Sequence, residues 1–170
     1  MKLIAGLGNP GGKYEGTRHN VGFRVLARLS EAHGDGQVKA RFRGETVDAL
    51  INGQKTLLLS PLTYMNRSGA SVQEAAGFYK IEPADILVIC DDFNLPLGKL
   101  RLRAKGSSGG QKGLENIIQR LGTSEFPRLR IGIGQPPEQW DVADYVLSKF
   151  TKEENVEIEE TIDIAAKAAD

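Results

Sequence analysis

Segments with the pattern of strands and segments with the pattern of helices alternate along this chain, and this alternation constrains its fold more than any other feature. An apolar run at residues 2–7 predicts a buried strand, and apolar residues at helical spacing over residues 21–29 predict a helix after an intervening loop. Strand-like segments at residues 44–51 and 55–60 then flank Asn52-Gly53, a dipeptide typical of a tight hairpin. The first part of the chain therefore predicts a mixed sheet.

The rest of the chain continues the alternation. Further strands are predicted at residues 85–91, 99–103 and 128–134, and helices are predicted after Asn66, over residues 114–121 before Gly122, and after a capping box of Thr151 and Glu154. We therefore predict one α/β domain over residues 1–170, with a twisted mixed parallel/antiparallel sheet flanked by helices. The last helix reaches Asp170 without a C-terminal cap, so we expect this helix to be shortened.

The composition is that of an ordinary globular protein, with 40% hydrophobic residues, 26% charged residues and no net charge. No leader-like segment opens the chain and no apolar run is long enough to cross a membrane, so we expect a cytoplasmic protein. The single cysteine, Cys90, follows an apolar run and is expected to be buried in a strand. Residues 151–170 carry seven acids against two bases, which leaves the main body net positive and suited to an anionic partner.

The glycine-rich start of the chain has two interpretations. Residues 6–11 fit the G-x-G-x-x-G pattern of a dinucleotide-binding turn after a strand. In that motif a helix begins at the third glycine and a parallel strand follows, whereas here helical periodicity begins near His19 and the Asn52-Gly53 hairpin comes next. These differences argue against a dinucleotide cofactor. A tight turn explains the glycines but not Asn9, which is kept as a candidate site residue.

One of the two histidines has a setting suited to catalysis. His19 lies between the glycine-rich turn and a helix, which places a group that titrates near neutral pH close to the end of the first strand. Asp91 and Asp92 follow a buried strand, at the edge where sites in α/β sheets usually lie, although a solvated strand end is the alternative. Because neighbouring strand residues point to opposite faces, we expect only one of these carboxylates to serve a site. His33 is expected to be structural, and one histidine with two adjacent acids is too small a ligand set to predict a metal ion.

A strongly basic alternating segment follows at residues 99–105. As a strand, it would place four cations (Lys99, Arg101, Arg103 and Lys105) on one face and three apolar residues (Leu100, Leu102 and Ala104) on the face toward the core. The glycine-rich residues 106–110 then lead into a helix and offer backbone amides to a phosphate or an oxyanion. Arg128 and Arg130 repeat the alternation, so this region predicts contact with a nucleic-acid backbone, with a solvated strand face as the alternative.

Six segments in combination resemble the bacterial peptidyl-tRNA hydrolase family. They are residues 6–11, 17–22, 61–69, 91–98, 106–114 and 128–134, and they run through nearly the whole chain. The resemblance implies a monomeric, cofactor-free enzyme of the carboxylic ester hydrolase class. Such an enzyme hydrolyses the ester bond between peptide and tRNA in peptidyl-tRNA released from stalled ribosomes, and so recycles the tRNA.

The resemblance also implies roles for individual residues. His19 would act as the general base for water, Asp91 would orient it, and the asparagines Asn9 and Asn66 would line the same site. The peptide or the acceptor end of the tRNA would meet Tyr14, Tyr64 and Met65. The tRNA phosphates would meet Arg101, Arg103 and Arg130, with Lys105 of the basic segment beside them.

Two positions depart from the family pattern. Gln111-Lys112 stands where most members carry His-Asn, and Asn94 replaces a usual aspartate. Lys112 is expected to bind substrate in place of the missing amide, by donating a hydrogen bond from a longer and charged side chain.

A second hypothesis is a non-catalytic RNA-binding protein on the same fold, because the resemblance extends to a plant organelle splicing factor. The joint presence of His19, Asp91, Asn9 and Asn66 favours the enzyme. The enzyme hypothesis predicts that the protein releases peptide from an N-blocked aminoacyl-tRNA without added metal.

Overall fold

The strands of the protein form one seven-stranded sheet in the computed structural model, which describes residues 1–169. The strands are β1 (Lys2–Gly6), β2 (Lys39–Arg41), β3 (Gly44–Ile51), β4 (Gln54–Pro61), β5 (Ile86–Asp92), β6 (Leu100–Arg103) and β7 (Arg128–Gly132). The helices are α1 (Val21–His33), α2 (Ser68–Tyr79), α3 (Lys112–Leu121), α4 (Val142–Val146) and α5 (Lys152–Ala169). Asp170, the predicted end of the last helix, lies outside the described residues.

The order of the strands across the sheet is β2-β3-β4-β1-β5-β7-β6. The four central strands, β4, β1, β5 and β7, are parallel to one another, whereas β2 and β3 on one side and β6 on the other are antiparallel to their neighbours. The prediction of a mixed parallel and antiparallel sheet is therefore confirmed. The carboxyl ends of the four parallel strands meet at one edge of the sheet, where ligand sites in such folds lie.

Helices cover both faces of the sheet. Helices α1 and α5 pack on one face, with Ile4, Ile89 and Leu129 beneath them. Helices α2 and α3 pack on the other face, against Leu3 and Val88 among others. Because the central strands are buried on both faces, they are continuous apolar runs in the sequence rather than alternating ones.

Several local predictions are confirmed by backbone geometry. Asn52 and Gly53 have φ angles of 51° and 77°, as a two-residue hairpin turn with both central residues left-handed requires. In the capping box of α5, the Glu154 carboxylate accepts from the Thr151 amide at 2.9 Å, and the Thr151 hydroxyl accepts from the Glu154 amide at 3.2 Å. Cys90 is fully buried in β5, and burial raises the pKa of its thiol to about 12, which leaves it unreactive.

The prediction for the basic segment is partly wrong. Strand β6 spans only Leu100–Arg103, so Ala104 and Lys105 lie beyond it. Leu102, predicted to face the core, is 55% exposed because β6 is a short strand at the edge of the sheet. Strand β2 and helix α4 were not predicted from the sequence patterns.

Glycines allow helix α1 to lie unusually close to strand β1. A Cβ atom on Gly6 would lie 2.4 Å from the Gly22 carbonyl oxygen, and one on Gly22 would lie 2.5 Å from the Leu7 amide nitrogen. The glycines thus serve backbone packing, and α1 begins at Val21, well beyond Gly11, which is inconsistent with a dinucleotide-binding turn. The close approach brings the turn that precedes α1, and with it His19, to the carboxyl end of β1.

Candidate active site

A cleft of about 510 Å³ opens at the carboxyl edge of the parallel strands. Six of the predicted catalytic and substrate-binding residues line it: Asn9, His19, Met65, Asn66, Asp91 and Lys112. Five residues of and next to helix α4 also line the cleft, and the sequence patterns did not predict them: Asp141, Val142, Ala143, Val146 and Leu147. The cleft lies where the topology of an α/β sheet places a binding site.

His19 and Asp91 form a buried pair in this cleft. The His19 Nδ1 atom lies 2.9 Å from each carboxylate oxygen of Asp91. Because a carboxylate only accepts hydrogen bonds, Nδ1 carries a proton and donates it to Asp91, which leaves Nε2 as the basic nitrogen of the neutral ring. The other aspartate, Asp92, lies 3.7 Å from the Arg130 guanidinium, so the two neighbouring carboxylates have different partners, as the alternation of strand residues predicts.

The environment of His19 favours its charged form. Burial of the ring opposes protonation, but the charge and the hydrogen bond of Asp91 outweigh burial and raise the pKa of His19 above its ordinary value. His19 is 8% exposed and Asp91 is 1% exposed, so their attraction is little screened by water. The pair can therefore accept a proton from a molecule in the cleft and stabilise the resulting imidazolium.

The turn that carries His19 is anchored by its neighbour Arg18. The guanidinium of Arg18 donates two hydrogen bonds of 3.1 Å to the Glu154 carboxylate at the start of α5. It also lies over the rings of Tyr145 and Phe150, at 4.4 and 5.0 Å from their centroids. Although burial opposes ionisation, the hydrogen bonds from Arg18 contribute most to lowering the pKa of Glu154 below its ordinary value. The C-terminal part of the chain thus fixes the backbone next to the histidine.

Asn9 is held in one orientation. Its Oδ1 atom accepts a 2.7 Å hydrogen bond from the Met65 amide, so the nitrogen of the same side chain is the Nδ2 donor. The backbone of Asn9 is fixed by Asn20, whose side chain accepts from the Asn9 amide at 2.8 Å and donates to its carbonyl at 3.0 Å. Within residues 1–169 the Asn9 Nδ2 group has no acceptor, so it is available to a ligand in the cleft.

The residues expected to meet substrate take different positions. Asn66 and Lys112 are exposed, line the cleft, and have no side-chain hydrogen-bond partner within the described part of the chain. Met65 is buried, and its backbone amide, rather than its side chain, holds Asn9. Tyr14 and Tyr64 are not part of the cleft lining and instead form an edge-to-face pair with ring centroids 6.3 Å apart. Tyr64 is exposed and precedes Met65, so this pair lies beside the cleft residues rather than among them.

The basic residues divide into an exposed set and a buried set. Arg101, Arg103 and Lys105 are exposed, as a surface that contacts phosphates requires. Arg130 is 9% exposed, and its guanidinium donates to the backbone carbonyls of Ser107 and Ser108 at 2.5 and 3.0 Å. Two donors of Arg130 are therefore engaged by the glycine-rich loop, and the expected contact of Arg130 with tRNA phosphate stays a prediction.

Arg128, like Arg130, donates hydrogen bonds to the glycine-rich loop. It is fully buried, and it donates to the carbonyls of Gly106, Ser107 and Ser124. Its expected place on the exposed cationic face is therefore wrong. Together with Arg130, it clamps the glycine-rich loop over β7 and so places Gly110 at the cleft.

Two side chains that the sequence analysis did not assign to the site hold its members in place. Asn20 fixes Asn9, and the only signal for it was its position directly after His19. Gln111 donates a 2.9 Å hydrogen bond to the Asp91 carboxylate, and it attracted notice only as a departure from the family pattern. Within the described residues, no cluster of three or more histidine, cysteine or acidic side chains suits a metal ion.

The fold and the cleft define an α/β protein with a histidine–aspartate pair, which is equipped for acid–base chemistry. The family model described as "Peptidyl-tRNA hydrolase" matches residues 3–170. The chain therefore belongs to the peptidyl-tRNA hydrolase family, as the resemblance predicted.

Individual relatives agree with this assignment. The chain is 54% identical to "Peptidyl-tRNA hydrolase" of Rhodopirellula baltica over 162 residues, which cover 95% of this chain and 85% of that protein. It is 50% identical to the protein of the same name from Bacillus subtilis, over 100% of this chain and 90% of that one. The crystal structure of peptidyl-tRNA hydrolase from Acinetobacter baumannii superimposes with a TM-score of 0.92 at 39% identity and covers 98% of this chain and 85% of that chain. The α/β fold predicted from the sequence is thus confirmed.

Proposed function

We propose that the protein hydrolyses the ester bond between peptide and tRNA in peptidyl-tRNA released from stalled ribosomes, so that the tRNA is recycled. The observation that carries the proposal is the His19–Asp91 pair at the cleft, in a chain about 50% identical over its full length to a relative named for this activity. The ester is cleaved by water, because an ester is reactive enough not to need a covalent nucleophile.

In the proposed mechanism, His19 is the general base. Its Nε2 atom removes a proton from a water molecule, and the water oxygen attacks the ester carbonyl. The negative charge that develops on the carbonyl oxygen is stabilised by the free Nδ2 group of Asn9, with Asn66 and Lys112 as further donors on the cleft wall. The imidazolium of His19, paired with Asp91, then returns the proton to the departing ribose oxygen.

The tRNA is proposed to bind along the exposed cations Arg101, Arg103 and Lys105. These exposed residues precede the loop whose Gly110 lines the cleft, which supports an approach of the tRNA backbone from this side. The peptide would lie against the apolar wall that includes Val142 and Leu147, with the Tyr14–Tyr64 pair beside the cleft available for stacking.

We further propose that residues 1–170 act as one catalytic domain, as a monomer without a cofactor. Asn9, His19, Asn66, Asp91 and Lys112 come together in one cleft, which supports a single catalytic domain. No helix within residues 1–169 is long and apolar enough to span a bilayer. A cytoplasmic location is proposed because the tRNA substrate occurs where translation takes place.

The test is the release of peptide from an N-blocked aminoacyl-tRNA in the presence of a metal chelator. The wild-type protein is expected to release the peptide, and His19→Ala is expected to reduce the rate by about 10²–10⁴-fold through loss of the general base. His33→Ala is the matched control and should retain activity, since His33 lies at the far end of α1. Tight tRNA binding without release by the wild-type protein would instead support the non-catalytic RNA-binding alternative.

A further inference from the structure

Gln111 connects the His19–Asp91 pair to helix α3, which packs on the face of the sheet opposite helix α1. Its side chain is the N-terminal cap of α3, and Oε1 accepts a 2.7 Å hydrogen bond from the Leu114 amide. Its Nε2 atom donates a 2.9 Å hydrogen bond to Asp91 Oδ1. The amide has only one acceptor atom, and Leu114 occupies it, so the group facing Asp91 can only be the donor.

The remaining contacts leave Gln111 little freedom. The residue is 5% exposed, and Nε2 also lies 3.2 Å from the Met65 sulfur atom. Neighbouring Gly113 lacks a side chain where a Cβ atom would lie 2.5 Å from the same sulfur, which keeps the start of α3 close to the cleft. A side chain confined in this way loses little entropy when it holds its partner.

The orientation of the Asp91 carboxylate depends on Gln111, because only one of its two oxygens has a side-chain partner besides His19 among the described residues. His19 Nδ1 lies equally far, at 2.9 Å, from both oxygens, while Gln111 binds only Oδ1. Among the described residues, no other side chain donates to the Asp91 carboxylate. Without Gln111, the carboxylate plane would be set by the histidine alone, which is the ring that the carboxylate has to orient.

We propose that Gln111 is a positioning residue for the hydrolysis reaction, fixing the Asp91 carboxylate so that it holds His19 in the tautomer with a basic Nε2. This inference rests on the proposed function, in which His19 is the base. Gln111 itself does not touch the reacting atoms and acts through Asp91. Glutamine at the position of the family's usual histidine thus supplies a donor to the Asp91 carboxylate.

Two variants of nearly equal length separate positioning from capping. In Gln111→Glu, a carboxylate can still cap Leu114, but it replaces the donor to Asp91 with an acceptor and a second negative charge. In Gln111→Met, both the cap and the donor are lost while the volume is kept. Gln119→Met, at an exposed position on the same helix, is the matched control.

The variants are compared by kcat and KM on N-blocked aminoacyl-tRNA, by the pH profile of kcat, by thermal unfolding, and by NMR titration of the His19 ring. Both Gln111 variants are expected to lose about 10–100-fold in kcat with little change in KM, as for other groups that orient a catalytic ligand. Gln111→Glu is expected to shift the acid limb of the profile, and the His19 titration, to higher pH, and to lower the unfolding temperature because a second carboxylate is buried against Asp91.

A capping role alone predicts that Gln111→Glu has the kcat of the wild type and that only Gln111→Met is impaired. That result, or an unshifted His19 titration in Gln111→Glu, would overturn the inference. If Gln111→Met does not fold, Gln111→Glu decides alone, since it keeps the cap. A wild-type protein that releases no peptide would refute the proposed function instead, and the NMR titration would then decide whether Gln111 controls the histidine.

Discussion

The replacement of Asp91 by asparagine tests the central electrostatic interaction of the site. The carboxylate is 1% exposed, and both of its oxygens lie 2.9 Å from His19 Nδ1. For unit charges about 4 Å apart at an effective dielectric constant of about 20, the attraction is about 4 kcal/mol. This attraction stabilises the imidazolium that forms when water loses its proton, and each 1.36 kcal/mol is worth tenfold in rate. We therefore expect Asp91→Asn to lower kcat by about 10²–10³-fold.

The same substitution should change the pH dependence of the reaction. The base must be neutral to act, so the raised pKa of His19 places the acid limb of the wild-type profile above the ordinary histidine value. Removing the carboxylate leaves burial as the main influence on the ring, and burial lowers the pKa of a histidine. The acid limb of Asp91→Asn should therefore move to lower pH while the plateau falls.

The assay is peptide release from an N-blocked aminoacyl-tRNA, measured from about pH 5 to pH 9 at saturating and at low substrate. Asp92→Asn is the matched control. The Asp92 carboxylate lies near Arg130 instead of His19, so the acid limb of this variant should lie where that of the wild type does. An acid limb in the same place for Asp91→Asn and wild type, or a plateau unchanged by the substitution, would show that Asp91 does not act through His19.

Two further predictions concern the charged residues around the site. Arg101→Ala should raise KM and reduce the slope of log KM against log salt concentration by about one, and a slope equal to that of the wild type would contradict this expectation. Arg130→Ala should instead lower the unfolding temperature, because it leaves the carbonyls of Ser107 and Ser108 unpaired. Glu154→Gln should lower the free energy of unfolding by about 1–3 kcal/mol at neutral pH, since it removes the charge opposite buried Arg18. Because the pKa of Glu154 is lowered in the folded protein, the difference in free energy of unfolding between wild type and variant should be present above the unfolded-state pKa of Glu154 and should disappear as the pH falls through its folded-state pKa. Denaturant titrations above the first pKa and below the second measure this difference.

The features that could be predicted from the sequence are those controlled by neighbouring residues. The Asn52-Gly53 turn needs only residues that tolerate positive φ, and the Thr151–Glu154 capping box closes within one turn of helix. The different partners of Asp91 and Asp92 follow from the alternation of side chains along a strand.

The features that could not be predicted depend on segments distant in the chain. The alternation of Arg128 and Arg130 correctly predicts a shared face of β7, but no neighbouring residue indicates that the glycine-rich loop folds over that face and accepts hydrogen bonds from both guanidiniums. Gln111 is likewise recognisable in the sequence as a departure from the family pattern, but its contact with Asp91 requires the start of α3 to meet the end of β5. The alternation of residues 99–105 gave no indication that the strand ends at Arg103.

The contacts of Arg18 with Glu154 and Phe150 determine when the histidine turn becomes anchored during synthesis of the chain. Glu154, which holds the histidine turn, lies 136 residues further along the chain than Arg18. Until residues 150–154 have been synthesised and have docked, the histidine turn lacks its anchor. The candidate active site is therefore fully anchored only after a segment distant in the chain has folded onto it.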